Sequence, residues 1–282
     1  MSATGPRNVW TGGSECTGGP PGTGVTAAYV ARYDGHTWIT RKWNTSAFCG
    51  GALVTTSRTN GWLLGNNQAL HFTGKRWQKV TIGLGQPTAA TAVSAKDIWT
   101  VGGRFNASHL SRSKVFFTHY NGRRWRAVPL PAIRLPKNGY LYPYDIDAAA
   151  ADSIWAVATI YPAAAHSFLL HFNGTKWKAI PLPATPQQLL RVVPDGSGGA
   201  WAIMFQSVGG EYEFAHYSNG KWSFDAVPTN GLPGLVAGSE AFDVYSISRI
   251  PGTRSLLGTG DVFYSDSTGT EHNYSLIFRY AP

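Results

Sequence analysis

The feature that most constrains this chain is a six-residue motif that returns five times. It reads Tyr33-Asp-Gly-His-Thr-Trp38, Phe72-Thr-Gly-Lys-Arg-Trp77, Tyr120-Asn-Gly-Arg-Arg-Trp125, Phe172-Asn-Gly-Thr-Lys-Trp177 and Tyr217-Ser-Asn-Gly-Lys-Trp222. From Trp38 to Trp222 is 184 residues over four intervals, a mean spacing of 46. Asn-Gly or Asp-Gly ahead of a Trp supplies the left-handed backbone of a tight hairpin, and the Trp then opens the next strand. A second motif interleaves with the first: Asn8-Val-Trp-Thr-Gly12, Asn60-Gly-Trp-Leu-Leu-Gly65, Asp97-Ile-Trp-Thr-Val-Gly102, Ser153-Ile-Trp-Ala-Val-Ala158 and Gly199-Ala-Trp-Ala-Ile203. Runs this short and apolar suit buried strands rather than helices. Ten of the eleven Trp residues belong to these two motifs, and Trp43 stands outside them.

Each repeat reads as four strands, A to D from the inside outward. A is the Thr91-Ala-Val-Ser94 type, B the Trp-Ala-Val type, C the Phe168-Leu-Leu-His-Phe172 type, and D begins at the Gly-x-x-Trp tryptophan. A repeat near 46 residues lies in the range of propeller blades, and packing one blade on the next buries apolar faces that a lone blade would expose. The expected fold is an all-β β-propeller of about six four-stranded blades, one domain over 1–282. The composition agrees: 33 Gly, 13% aromatic and only 14% charged residues suit short aromatic strands joined by many turns. Six B strands are counted if Arg254-Ser-Leu-Leu-Gly258 is included, with six C strands and five D strands. The first A strand is expected to be short or absent and the first and last blades incomplete. Seven blades in a longer parent chain are the alternative.

This alternation resembles the Trp-Ala-Val-Gly propeller repeats of actinobacterial secreted proteins. It is also similar to Asp-box repeats, in which an Asp/Asn-Gly-x-x-Trp turn joins the third and fourth strands. The resemblance covers nearly the whole chain and implies the fold and an extracellular or cell-surface setting. It implies little about activity, because propellers host unrelated functions. Asn or Thr stands for Asp in most copies and the leading Ser is absent, so no sialidase-type site carries over.

The formal charge is 24 − 15 = +9. The basic residues stand singly or in pairs, many in the C–D turns (Lys75-Arg76, Arg123-Arg124, Lys176, Lys221), where they meet anionic polymer or keep a Trp-rich surface soluble. Nucleic acid is not the expected partner; a glycan or an extracellular protein is. No apolar run is long enough for a membrane-spanning helix. Cys16 and Cys49 form a candidate disulfide, with two inert thiols as the alternative.

Long loops on a rigid scaffold are where binding concentrates, and here the long loops are the B–C and D–A connections. The candidate binding residues on that face are Tyr140, Tyr142, Tyr144, Asp145 and Asp147; Arg104 and His109; Tyr161 and His166; Glu211 and Glu213; and Asp266 and His272. Aromatic faces beside carboxylates suit sugar binding. Four histidines, His71, His119, His171 and His216, precede the aromatic of strand C. Equivalent positions in different blades cannot converge on one ion, so packing beside a neighbouring blade is expected and neither metal nor cofactor is called for. No catalytic motif is recognisable. The favoured function is a non-catalytic binding or interaction propeller of the cell exterior. The alternatives are a glycosidase, sialidase or lyase with a carboxylate/Tyr site near the axis, and a structural repeat domain of a larger protein.

Overall fold

The structure, a computed structural model, describes residues 1–16, 26–45, 48, 51–83, 85–104, 106, 108–109, 112–161, 166–183, 187–206, 212–227, 240–250, 252–265 and 269–281. The fold is an all-β propeller of six antiparallel blades, with no α-helix among the described residues. Blade 1 holds β1 (Ser2–Gly5), β2 (Asn8–Cys16), β3 (Thr26–Tyr33) and β4 (Trp38–Asn44). Blade 2 holds β5 (Ala52–Ser57), β6 (Asn60–Gly65), β7 (Gln68–Phe72) and β8 (Trp77–Thr81). Blade 3 holds β9 (Gln86–Ser94), β10 (Asp97–Arg104), β11 (Lys114–Tyr120) and β12 (Trp125–Val128). Blade 4 holds β13 (Tyr140–Ala150), β14 (Ser153–Tyr161), β15 (His166–Phe172) and β16 (Trp177–Pro181). Blade 5 holds β17 (Gln187–Pro194), β18 (Ala200–Gln206), β19 (Tyr212–Ser218) and β20 (Lys221–Ala226). Blade 6 holds β21 (Glu240–Arg249), β22 (Leu256–Ser265) and β23 (Glu271–Tyr280), three strands among the described residues. The first A strand is present and short. By contact the chain divides into two units, Met1–Ile146 and Asp147–Pro282.

The repeated turn explains the D strands, four of which start at the Trp of the motif. In those four copies the loop has four residues, closed by a backbone bond such as Asp34 N–H to the Thr37 carbonyl (3.2 Å). Where the first residue is Asp or Asn, its side chain accepts two further N–H groups. Asn173 Oδ1, for example, takes Thr175 N–H at 3.1 Å and Lys176 N–H at 3.0 Å. The Gly must be Gly for two reasons, seen at Gly122: φ is 85°, and a Cβ would come within 2.8 Å of Lys96 in the adjoining A–B turn. The fifth copy, shifted by one place in sequence, is a different turn. Asn219 and Gly220 both have positive φ (51° and 78°) inside a Ser218–Lys221 pair, which is the two-residue hairpin loop.

The second motif supplies the core. Trp10, Trp62, Trp99, Trp155 and Trp201 are all buried. The residue two places earlier often caps the indole N–H: Asn8 Oδ1 accepts Trp10 Nε1–H at 2.8 Å, Asp97 Oδ1 accepts Trp99 Nε1–H at 2.8 Å, and Ser153 Oγ accepts Trp155 Nε1–H at 3.3 Å. Within each unit these tryptophans also join successive blades. In the first unit Trp10 meets Phe72 (5.3 Å between centroids) and Trp77 (5.7 Å), and Trp62 meets Tyr120 (5.1 Å) and Trp125 (5.5 Å). In the second, Trp201 meets Tyr280 at 5.4 Å. Trp43, outside both motifs in sequence, packs edge-on against Trp77 at 5.2 Å and so joins the same core.

The four histidines differ from expectation in one respect. Each stacks on the tryptophan of strand B in its own blade, because cross-strand register makes them direct partners: Trp62 with His71, Trp99 with His119, Trp155 with His171 and Trp201 with His216. The centroids lie 3.8–4.2 Å apart. His119 donates from Nε2 to Asp97 Oδ1 (2.8 Å) and His216 to Asp195 Oδ2 (3.0 Å). Nε2 of His71 and of His171 is buried without a hydrogen-bond partner, and burial pushes both imidazoles below their ordinary value of 6.5.

Two outcomes test this packing. Trp155→Ala, at a site 1% exposed, should lower stability by about 3–5 kcal/mol through cavity formation, whereas Trp38→Ala, at 53% exposure, should cost less than about 1 kcal/mol in the same denaturant titration. The depressed histidines mean that the unfolded chain binds protons that the native state refuses. Their contribution is therefore full above 6.5 and is lost as pH falls below it. Melting temperatures measured between about pH 7 and pH 5 should fall, with a shallower slope in a His71→Gln/His171→Gln double variant.

Candidate functional site

The predicted site residues fall on described elements except Glu211, Asp266 and Cys49, which lie outside the described residues, as does the Cys16 side chain; the candidate disulfide falls with them. In the first unit Tyr140, Tyr142 and Tyr144 alternate along β13 and are half-buried, with Tyr142 and Tyr144 edge-on at 5.0 Å. Asp145 follows on the same strand. Arg104 turns its guanidinium onto the Gly83 carbonyl at 2.7 Å, while His109 belongs to a small turn in which Asn106 Oδ1 accepts its N–H at 2.9 Å.

In the second unit Asp147 Oδ1 accepts the Ala148 N–H at 2.8 Å. Tyr161, at the end of β14, donates to Gln188 Oε1 on β17 at 2.9 Å, and His166 opens β15 exposed. Glu213 accepts Gln206 Nε2–H at 2.5 Å. His272 lies parallel to Tyr274 with centroids 6.2 Å apart.

A denser constellation lies on the inner strands of blades 5 and 6. Tyr212, the first residue of β19, donates its hydroxyl to Asp243 Oδ1 on β21 at 2.9 Å. Tyr245, two residues on, donates to Asp261 Oδ2 on β22 at 2.9 Å. Asp243 and Asp261 are direct partners in the antiparallel register, so both carboxylates leave the same face of the sheet. Like charges placed opposite one another across strands weaken a sheet. Here each carboxylate accepts a phenol hydrogen bond, and Arg191 on β17 brings a positive charge beside them.

Two β-bulges create this arrangement. The register of β17 against β18 shifts between Leu189 and Arg191, and that of β21 against β22 shifts between Val244 and Ser246. A bulge re-aims a side chain and frees a carbonyl from the ladder. The freed Tyr245 carbonyl accepts Arg191 Nε–H at 2.5 Å, and the Leu190 carbonyl accepts Arg191 Nη1–H at 2.8 Å. Burial and the bond to Asp243 push the Tyr212 phenol up to about 12. The Asp261 bond, followed by partial desolvation, raises Tyr245 as well.

Arg191, Asp243 and Tyr245 are not among the candidates drawn from the sequence. One signal was present: where the A strand of blade 3 carries Gln86 and Thr88, that of blade 6 carries Asp243 and Tyr245. A charged residue in an inner strand asks for a partner. Among the described residues no cluster of His, Cys, Asp and Glu has the makings of a metal site.

No family model matches the chain, and no curated protein sequence matches it. Solved structures do. The extracellular domain assigned to a one-component system of B. thetaiotaomicron superposes with a TM-score of 0.52 at 16% identity, covering 89% of this chain and 32% of that one. This chain thus spans about a third of that protein's chain. A Hadza microbial sialidase gives 0.52 at 12% identity, covering 92% and 67% of the two chains. A polysaccharide lyase, an ulvan lyase, gives 0.50 at 11%, covering 92% and 82%. At these identities the likeness is one of fold.

Raised phenol pKa values make a titration test. Tyr212 supplies its stabilisation fully below its ordinary value of 10.0, and loses it as pH rises through about 12. Spectrophotometric titration should show one phenol ionising near 12 that is absent from Tyr212→Phe and moves down in Asp243→Asn.

Proposed function

We propose that this propeller is a carbohydrate-binding protein of the cell exterior, and that Tyr212, Asp243, Tyr245, Asp261 and Arg191 form its saccharide site. The observation that carries the reading is the register-opposed Asp243–Asp261 pair, held by two tyrosine hydroxyls beside an arginine. An ionised carboxylate accepts up to about four hydrogen bonds. With one position on each taken by a phenol, the pair retains capacity for vicinal sugar hydroxyls. Tyr245, 48% exposed, offers a ring face against which a sugar stacks. The second reading, a saccharide-cleaving enzyme, is favoured by the same two carboxylates, since paired acids perform general acid–base work. The sialidase and the polysaccharide lyase among the structural neighbours are in keeping with a saccharide ligand for either reading. No helix of the described residues is long and apolar enough to cross a membrane.

The test is a glycan array followed by calorimetry on the best ligands. Asp243→Asn/Asp261→Asn should weaken binding by about tenfold or more, the loss of one or two charge-assisted hydrogen bonds, while leaving the far-ultraviolet spectrum unchanged. Release of reducing or unsaturated ends from a bound polysaccharide, abolished in that variant while binding persists, would replace the binding reading with the enzymatic one.

A further inference from the structure

The first unit contains a cavity, apart from the Tyr–Asp cluster, at the junction of blades 1 and 2 on the side of the C–D turns. Its volume is about 440 Å³, within the usual range of small-ligand pockets. Trp77, half-buried, and Ile39, exposed, give it apolar walls, and the buried Trp10, Val30 and Phe72 close its floor beneath Arg32. The polar lining consists of Arg32, Arg41, Lys75 and Arg76, four cations with no carboxylate among them.

Blade 1 departs from the repeat at this point. Where blades 2 to 5 place a histidine on the B-strand tryptophan, blade 1 places Arg32 opposite Trp10. Its guanidinium lies 5.6 Å from the Trp10 ring centroid and 5.4 Å from that of Phe72. Stacking leaves the in-plane N–H groups of an arginine pointing outward, and of these Nη1 donates to the Arg58 carbonyl at 3.1 Å.

One acid, Asp34, stands in the C–D turn of blade 1. Asp34 spends its Oδ1 on the N–H groups of His36 and Thr37, both at 2.9 Å. Those two bonds, that from Thr37 first, hold its carboxyl below the usual range. Arg32 contributes to the same lowering, so Asp34 offsets one positive charge and leaves the four-cation lining with an excess. Four like charges gathered on an aromatic-walled cavity repel one another, and an anion relieves that repulsion.

We propose that this cavity is a second binding site, for an acidic sugar. One pyranose ring lies against Trp77 and Ile39, and its carboxylate or sulfate is taken by Arg32 with Arg41 and Arg76. Arginine matches both groups because its fork of N–H donors meets two oxygens at once.

The test uses isothermal titration of the full chain with methyl glucuronide, glucose sulfate and methyl glucoside. At least one acidic sugar should bind more tightly than the neutral one, with affinity falling as salt rises; which of them binds identifies the anionic group. Two variants address the site. Arg32→His installs the residue that blades 2 to 5 carry, keeps a stack on Trp10, and should weaken binding about tenfold with an unchanged fold. Arg41→Glu/Arg76→Glu should abolish it. Arg123→Glu/Arg124→Glu changes the charge equally in the matching turn of blade 3 and should leave affinity within about twofold. Three results would overturn the proposal: no acidic sugar bound, methyl glucoside bound equally well, or the two double variants losing affinity alike, which is the behaviour of a diffuse basic surface.

Discussion

The structure depends on the contact between the strand-B tryptophan of one blade and the aromatic turn of the next. Trp10 on Phe72 and Trp77, Trp62 on Tyr120 and Trp125, and Trp201 on Tyr280 are the same contact repeated. It ties the two sequence motifs together. Neither motif buries its large rings within a single blade, so each blade's stability is tied to that of its neighbour, as in other repeat architectures. The histidine on the opposite side of the indole completes the sandwich. Its ring is flat and polar-edged, so it fills the space beside Trp and still reaches a carboxylate where the A–B turn offers one, as Asp97 and Asp195 do. Asp195 illustrates the balance. Burial alone would raise its pKa, but hydrogen bonds from His216, Ser197 and Gly199 outweigh that and hold it low.

Much of this was legible in the residues. The Gly-x-x-Trp spacing located the D strands, and the Trp-Ala-Val runs located the B strands, because turn chemistry and hydrophobic runs are local signals. Which side of the indole each histidine would occupy was not legible. That follows from the register between strands B and C, a property of a pair rather than of either strand.

The Tyr–Asp cluster was less legible for a related reason. Arg191 and Tyr245 owe their directions to bulges in β17 and β21, and a bulge changes which residue faces which partner without leaving a mark in local composition. The loops drew attention because they are long and vary between blades. The cluster instead uses strand positions: Asp243 and Tyr245 stand where blade 3 has Gln86 and Thr88, and Arg191 where it has Ala89. The resemblance to Trp-Ala-Val-Gly repeats spoke to the scaffold and left those substitutions unexplained.

The side-chain-closed C–D turn has a broader implication. In Asn121-Gly-Arg-Arg124 and Asn173-Gly-Thr-Lys176 the first two residues perform all the geometric work, through an accepting side chain and a positive φ. The next two contribute only backbone groups, their N–H donors and the carbonyl of the second, which any residue except proline provides. Their identities are therefore released from the fold. Over generations, the charge of that whole face can be rewritten one residue at a time, from basic to neutral to acidic, while the scaffold beneath it registers no change.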